Sequence, residues 1–190
     1  MVGRVSALNL QIKGGGSVSW QGSESVQLDG MCDLLVKSLQ ECQAPTTVLL
    51  HFGMNDLFET TSWAICRLIK ESLSFIRYLL PNTRIIWSDI LPRAYYYKEE
   101  NVGVAYRLLA RVNRHAHTAC CGLTNTYFVK HRHNFYTGDP SFRSLFIWDG
   151  THLSPKGEEC LVQNWSDALC FFNEHPAEKG FPPLPSRVTH

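Results

Sequence analysis

At 190 residues, with 44% hydrophobic and 18% charged, the chain is long enough to form one domain. A domain of that size buries about 70% of its unfolded surface without metal or disulfide staples. Eighteen Lys and Arg against 17 Asp and Glu leave a net charge of +1, which gives no sequence-independent reason to expect nucleic acid or an anionic membrane surface. No stretch approaches the roughly 18 apolar residues of a spanning helix, and no apolar leader precedes Gly14-Gly15-Gly16. Seven Cys at irregular spacings argue against a disulfide framework and for a reducing compartment, with the cytoplasm as the expected location.

Met1 to Lys13 shows no clear period, and Ser17 to Trp20 alternates like a strand entering a loop at Gln21-Gly22. Leu28, Met31, Leu34, Leu35, Ser38 and Leu39 share one face at helical spacing, predicting a helix from Val26 to Glu41. Pro45 marks a break before a strand from Thr47 to Phe52. A second apolar stripe, from Ile65 through Ile69, Leu73 and Ile76 to Leu80, ends at Pro81-Asn82, and a strand from Arg84 to Ser88 follows. Val104, Ala105, Leu108, Leu109, Val112 and Ala116 predict a third helix, Leu123 to Val129 a short strand, and Gly157 to Phe172 a fourth helix. Strands alternating with helices imply parallel pairing in a layered α/β domain. That domain spans residues 1–174, and the Pro-rich tail 175–190 is expected to be irregular.

Two stretches carry chemistry. In Trp148-Asp149-Gly150-Thr151-His152, a carboxylate and an imidazole stand three residues apart, ahead of a Gly157 that can open the last helix. An Asp that accepts one ring N–H of a His fixes its tautomer, and it stabilises the imidazolium formed when the other nitrogen takes a proton. In the second stretch an apolar strand ends in Gly53-Met54-Asn55-Asp56. This delivers the Asn55 amide to the C-terminal edge of a parallel sheet, where open α/β sheets bind ligands and an amide can donate to an oxyanion. Each residue also has a structural alternative: Asp149 as a turn or N-cap residue, His152 as a helix-capping loop residue, Asn55 as a turn former, Asp56 as an N-cap and Gly22 as a positive-φ position. His115 with His117, and His131 with His133, lack a structural-zinc spacing and are read as solvated surface, so no metal is expected. Lys130 to His133 reads as a solvated basic loop. Cys66, Cys120 and Cys121 read as small buried hydrophobes, and Tyr95 to Tyr97 as packing residues or the lining of an acyl pocket or partner surface.

The strand-G-x-N-D of Asn55 and the D-x-x-H of His152 resemble blocks III and V of the SGNH hydrolases, the GDSL-type esterase and lipase superfamily. Leu91-Pro92-Arg93 after a strand, and Val112-Asn113, are similar to the platelet-activating-factor acetylhydrolase branch and to esterase domains of vertebrate retroelement-derived proteins. The resemblance covers roughly Ser17 to Glu174. It implies a flavodoxin-like three-layer α/β/α sandwich with a mainly parallel sheet, acting on a small-molecule carboxylic ester without metal or cofactor. A serine would attack the carbonyl and His152 would take and return its proton. Asp149 would orient His152, while the Gly22 N–H and the Asn55 amide would hold the oxyanion.

The family's serine lies in a Gly-x-Ser block after a first, central strand and before a helix. Here Ser17 to Trp20 and Gly22 match the next strand and its glycine, with about a dozen residues before them, whereas a βαβ unit needs about 30. The central strand is therefore expected to be missing, or replaced by Val5 to Ile12. Ser6, Ser17, Ser19, Ser23 and Ser25 all lack the strand–Gly-x-Ser–helix setting, so the nucleophile is unassigned. Two functions follow: an ester hydrolase-like domain, or an inactive remnant of that fold, a pseudoenzyme that binds a ligand or a protein.

Overall fold

The computed structural model describes residues 18–19, 26–41, 43–96, 101–131, 135 and 137–183. Its elements are α1 (Leu28–Glu41), β1 (Thr47–Leu50), α2 (Ser62–Leu79), β2 (Arg84–Ser88), α3 (Val102–Cys121), β3 (Thr126–Val129), α4 (Pro155–Glu174) and β4 (Gly180–Phe181). Local signals set the helix starts. The side chains of Thr61, Asn101 and Ser154 accept the N–H groups of Ala64, Val104 and Gly157, and Pro155 occupies the first turn of α4, where no N–H is needed.

The four strands are parallel in the order β1-β2-β3-β4. Alternation along β2 sorts its side chains between two cores. Ile85 and Trp87 join Leu50 and Phe128 against the apolar faces of α1, α2 and α3, which contribute Met31, Ile69, Leu73, Val112 and Ala116. Ile86 joins Tyr127 and Val129 on the opposite face, against Leu161, Trp165, Ala168 and Phe172 of α4. Both faces of the sheet are covered, which is why Ile85-Ile86-Trp87 reads as a continuous apolar run rather than an alternating one. The architecture is the three-layer α/β/α sandwich expected from the sequence.

Three expectations change or fall away. The tail is not wholly irregular: Gly180–Phe181 pairs with β3, where Phe128 N–H donates to Lys179 O and Lys130 N–H to Phe181 O. The outer edge of β3 offers unpaired backbone groups, and two residues suffice to satisfy them beside Pro182. Val18 and Ser19 are not in a strand. Ser17, Trp20, Gly22 and the proposed surrogate strand Val5 to Ile12 lie outside the described residues. Among the described residues, β1 has a strand neighbour on one side only.

Candidate active site

The loops that follow β1, β2 and β3 all leave the C-terminal edge of the sheet, and bonds between the loop after β2 and the segment after β3 build the Asp149–His152 turn. After β2, the backbone N–H groups of Ala94 and Tyr95 both donate to Gly150 O, at 2.9 and 3.0 Å. Gly150 has φ +70°, and a β-carbon there would lie 2.9 Å from Tyr95 Cβ, so the close approach of the two loops requires glycine. Downstream, Ile147 N–H donates to His152 O and Ser154 N–H to Leu145 O, which ties the turn to the start of α4.

Within the turn, His152 Nδ1 lies 2.6 Å from Asp149 Oδ2, while the backbone N–H groups of Thr151 and His152 donate to Asp149 Oδ1 at 2.7 and 2.9 Å. Burial raises the Asp149 pKa, but the His152 side chain, these two N–H groups and the His152 charge outweigh it and hold the carboxyl down at about 2. An ionised Asp149 keeps the imidazole proton on Nδ1, so Nε2 presents its lone pair outward. The His152 side chain is 54% exposed. Arg93, from the Leu91-Pro92-Arg93 segment, is close enough to feel the charge of Asp149, and burial lowers its pKa. The Tyr96 hydroxyl accepts Arg93 N–H at 3.0 Å, and burial pushes its pKa up to about 12.

The Gly-x-Asn-Asp side chains serve α1. Both oxygens of buried Asp56 accept the N–H of Leu28, at 3.2 and 3.1 Å, so it caps the start of α1 rather than a helix of its own. Burial raises its pKa despite that bond. Asn55 Nδ2 donates to Val26 O at 3.1 Å, which leaves its second N–H for a ligand. Gly22 lies outside the described residues. Among the described residues, no serine hydroxyl is hydrogen-bonded to His152, and Ser19 is exposed.

Several readings from the sequence are corrected. His117 is not a solvated residue: its Nε2 lies 2.6 Å from Asp89 Oδ1, and its ring stacks on Phe128 at 4.1 Å. His131 is buried, which also removes it from the solvated basic loop, while His133 lies outside the described residues. Cys120 is buried as expected and burial raises its thiol pKa, but Cys121 is exposed and Cys66 is half-buried. Tyr96 packs inside, whereas Tyr95 is exposed. Asn113 of the Val-Asn pair accepts Ile90 N–H and donates to Ile90 O, at 3.0 and 2.9 Å, so that motif pins the loop after β2.

One polar cluster went unrecognised in the sequence. Ser88 Oγ, fully buried at the end of β2, lies 2.9 Å from His51 Nδ1, 2.8 Å from His131 Nε2 and 2.8 Å from Trp165 Nε1. Asn164 Nδ2 lies 2.5 Å from His131 Nδ1 and donates to Lys130 O. Proton positions follow from these partners. The amide donates to His131 Nδ1, so His131 Nε2–H donates to Ser88. Trp165 also donates to Ser88, so the single Ser88 hydroxyl proton goes to His51 Nδ1. The cluster has the Ser-His-Asn composition of a triad, but its serine is buried and its central histidine donates to the serine instead of accepting from it. It therefore acts as a clamp between strand ends and α4, not as a nucleophile.

Burial lowers the His51 pKa from 6.5 to about 4, outweighing the Ser88 backbone, which raises it. The unfolded chain then takes up this proton at higher pH than the folded one. The His51 contribution to stability is full above pH 6.5, is lost as pH falls from 6.5 to 4, and is constant below that. Its size is up to about 3 kcal/mol. Urea unfolding at steps across this range will show the decline, and His51→Gln will flatten it. An unchanged profile in the variant would rule out His51 as the group responsible.

No family model matches the chain, and no curated protein matches it by sequence. Solved structures do match. A Streptococcus pneumonia protein designated a platelet activating factor aligns at TM-score 0.62 and 20% identity, over 76% of this chain and 69% of the other. The lipase/acylhydrolase of Enterococcus faecalis aligns at TM-score 0.56 and 16% identity, over 76% and 71%. The family 3 carbohydrate esterase of Clostridium thermocellum aligns at TM-score 0.55 and 22% identity, over 78% and 69%. At these identities the likeness is one of architecture, and the architecture of this chain is the SGNH hydrolase fold.

Proposed function

We propose that the chain is an SGNH-type ester hydrolase-like domain acting on a small-molecule carboxylic ester. The observation that carries this reading is the Asp149–His152 pair, at 2.6 Å, with an exposed imidazole on the ligand-binding edge of the sheet. His152 Nε2 takes the proton of an attacking hydroxyl and returns it to the leaving alcohol. Ionised Asp149 holds the ring in the required tautomer and stabilises the imidazolium. The free N–H of Asn55, with a backbone N–H from Gly22, stabilises the oxyanion. The six described cysteines are free thiols, which fits the reducing, cytoplasmic setting we propose. Among the described residues no helix is long and apolar enough to cross a membrane.

A second reading is a pseudoenzyme, an inactive remnant of this fold that binds a ligand or a protein. It is favoured by the lack of any described serine bonded to His152. Turnover of a short-chain nitrophenyl ester, with fluorophosphonate labelling mapped to the modified residue, separates the two. Turnover abolished by His152→Ala, together with label on one serine, establishes the hydrolase and names its nucleophile. Folded protein with neither turnover nor label leaves the pseudoenzyme reading.

A further inference from the structure

The near-zero net charge of the whole chain hides a local asymmetry. The 20 residues of α3 include Arg107, Arg111 and Arg114 but no Asp or Glu. Spacings of four and three residues put these arginines along one flank of the helix, and all three are exposed. Between α2 and α3 runs an open groove of about 420 Å³, lined by Trp63 and Cys66 on one side and Arg111, Arg114 and His115 on the other. Trp63 is 69% exposed, and the Arg67 guanidinium stands 5.2 Å from its ring centroid. Glu71 is the carboxylate of α2, and it is paired with Arg67 at 3.9 Å. Among the described residues, neither the Arg111 nor the Arg114 guanidinium has an ion-pair or hydrogen-bond partner. Arg114 also borders a second cavity, of about 450 Å³, on the other side of α3, where Lys130 supplies a further cation and Asp89 is already engaged by His117.

Unpaired guanidiniums in a concave groove beside an exposed indole combine the two features that hold a flexible polyanion with flat π faces. An acidic peptide would use the cations but has no series of bases to stack on Trp63. A duplex is too wide for a groove of this size. We propose that this surface binds single-stranded nucleic acid, with phosphates along Arg111, Arg114 and Lys130 and a base stacked on Trp63.

The test is fluorescence anisotropy of a labelled ten-nucleotide oligothymidylate with the whole chain at low salt and then at rising salt. Binding should weaken with salt at a log–log slope of about −2, as expected for three neutralised phosphates on a single strand. Combining Arg111→Glu with Arg114→Glu should weaken binding at least about tenfold, and Trp63→Ala at least about fivefold. Both variants should keep the wild-type unfolding midpoint, because the altered side chains are exposed. The proposal is overturned by no binding at low salt, or by either variant binding as tightly as wild type. Polyglutamate competing as well as the oligonucleotide would point instead to an acidic-peptide surface. Thymidine monophosphate binding as tightly as the oligonucleotide would point to a mononucleotide pocket. Either result rejects the strand reading.

Discussion

Ser88→Ala should destabilise the fold by about 3–5 kcal/mol, although it removes a single oxygen atom. The change leaves almost no cavity, so the effect reports polar interactions rather than lost packing. Ser88 accepts from Trp165 Nε1 and His131 Nε2 and donates to His51 Nδ1, and alanine removes all three bonds at once. A buried donor or acceptor stripped of its partner costs about 1–3 kcal/mol, and Ser88, Trp165 and His131 are all buried. Denaturant unfolding of Ser88→Ala, Trp165→Phe and the double variant will check the assignment. Trp165→Phe removes the indole donor that Ser88→Ala would strand, so the double variant should cost less than the sum of the singles. Additive effects, with Ser88→Ala under about 1 kcal/mol, would mean the clamp contributes little.

Gly157→Ala gives the second large effect, with a sign opposite to what helix propensity alone suggests. Gly157 lies in the first turn of α4, where alanine would ordinarily be worth up to about 1 kcal/mol more than glycine. A β-carbon at this position would collide with the backbone carbonyl of Leu145 and lie 3.1 Å from Leu153 Cδ2. That carbonyl cannot retreat freely, because it accepts Ser154 N–H at 2.9 Å while Ser154 Oγ donates to Ser144 O at 2.7 Å. Forcing the elements apart should cost about 3 kcal/mol or more, at the upper end for overpacking. It should also disturb the Asp149–His152 turn, which reaches α4 through Leu153 and Ser154. Denaturant unfolding supplies the energy. The imidazole resonance of His152 reports the turn and should shift in Gly157→Ala while staying in place in an exposed control such as Glu159→Ala. A neutral or stabilising Gly157→Ala would show that the α4 entrance is looser than the geometry indicates.

These two positions mark where reading along the chain stops being sufficient. Periodicity located α1, α2, β2, α3 and α4 to within a few residues, because each element buries one stripe or one run, and Pro81 marks the end of α2; the caps Thr61, Asn101 and Ser154 set the helix starts that periodicity left loose. The Asp149–His152 pair was legible for a similar reason. Its partners lie three residues apart, so a single turn brings them together. Gly180–Phe181 was not legible, because a two-residue strand has no period and exists only because β3 offers it an edge.

By itself, the sequence determined the α/β class, the order of the main helices and strands and the local Asp149–His152 pairing, all of which depend on spacings within one turn or one strand. Tertiary structure decided the rest. It took Asp56 as a cap for α1, took Asn113 as a clip on Ile90 and buried His131, while leaving Arg111 and Arg114 open in a groove. It also gathered His51, Ser88, His131 and the adjacent Asn164 and Trp165 from four places in the chain. A hydrogen bond requires its partners within about 3 Å. Residues 37, 43 and 77 positions apart meet that requirement only after parallel strands align their ends and α4 packs across them.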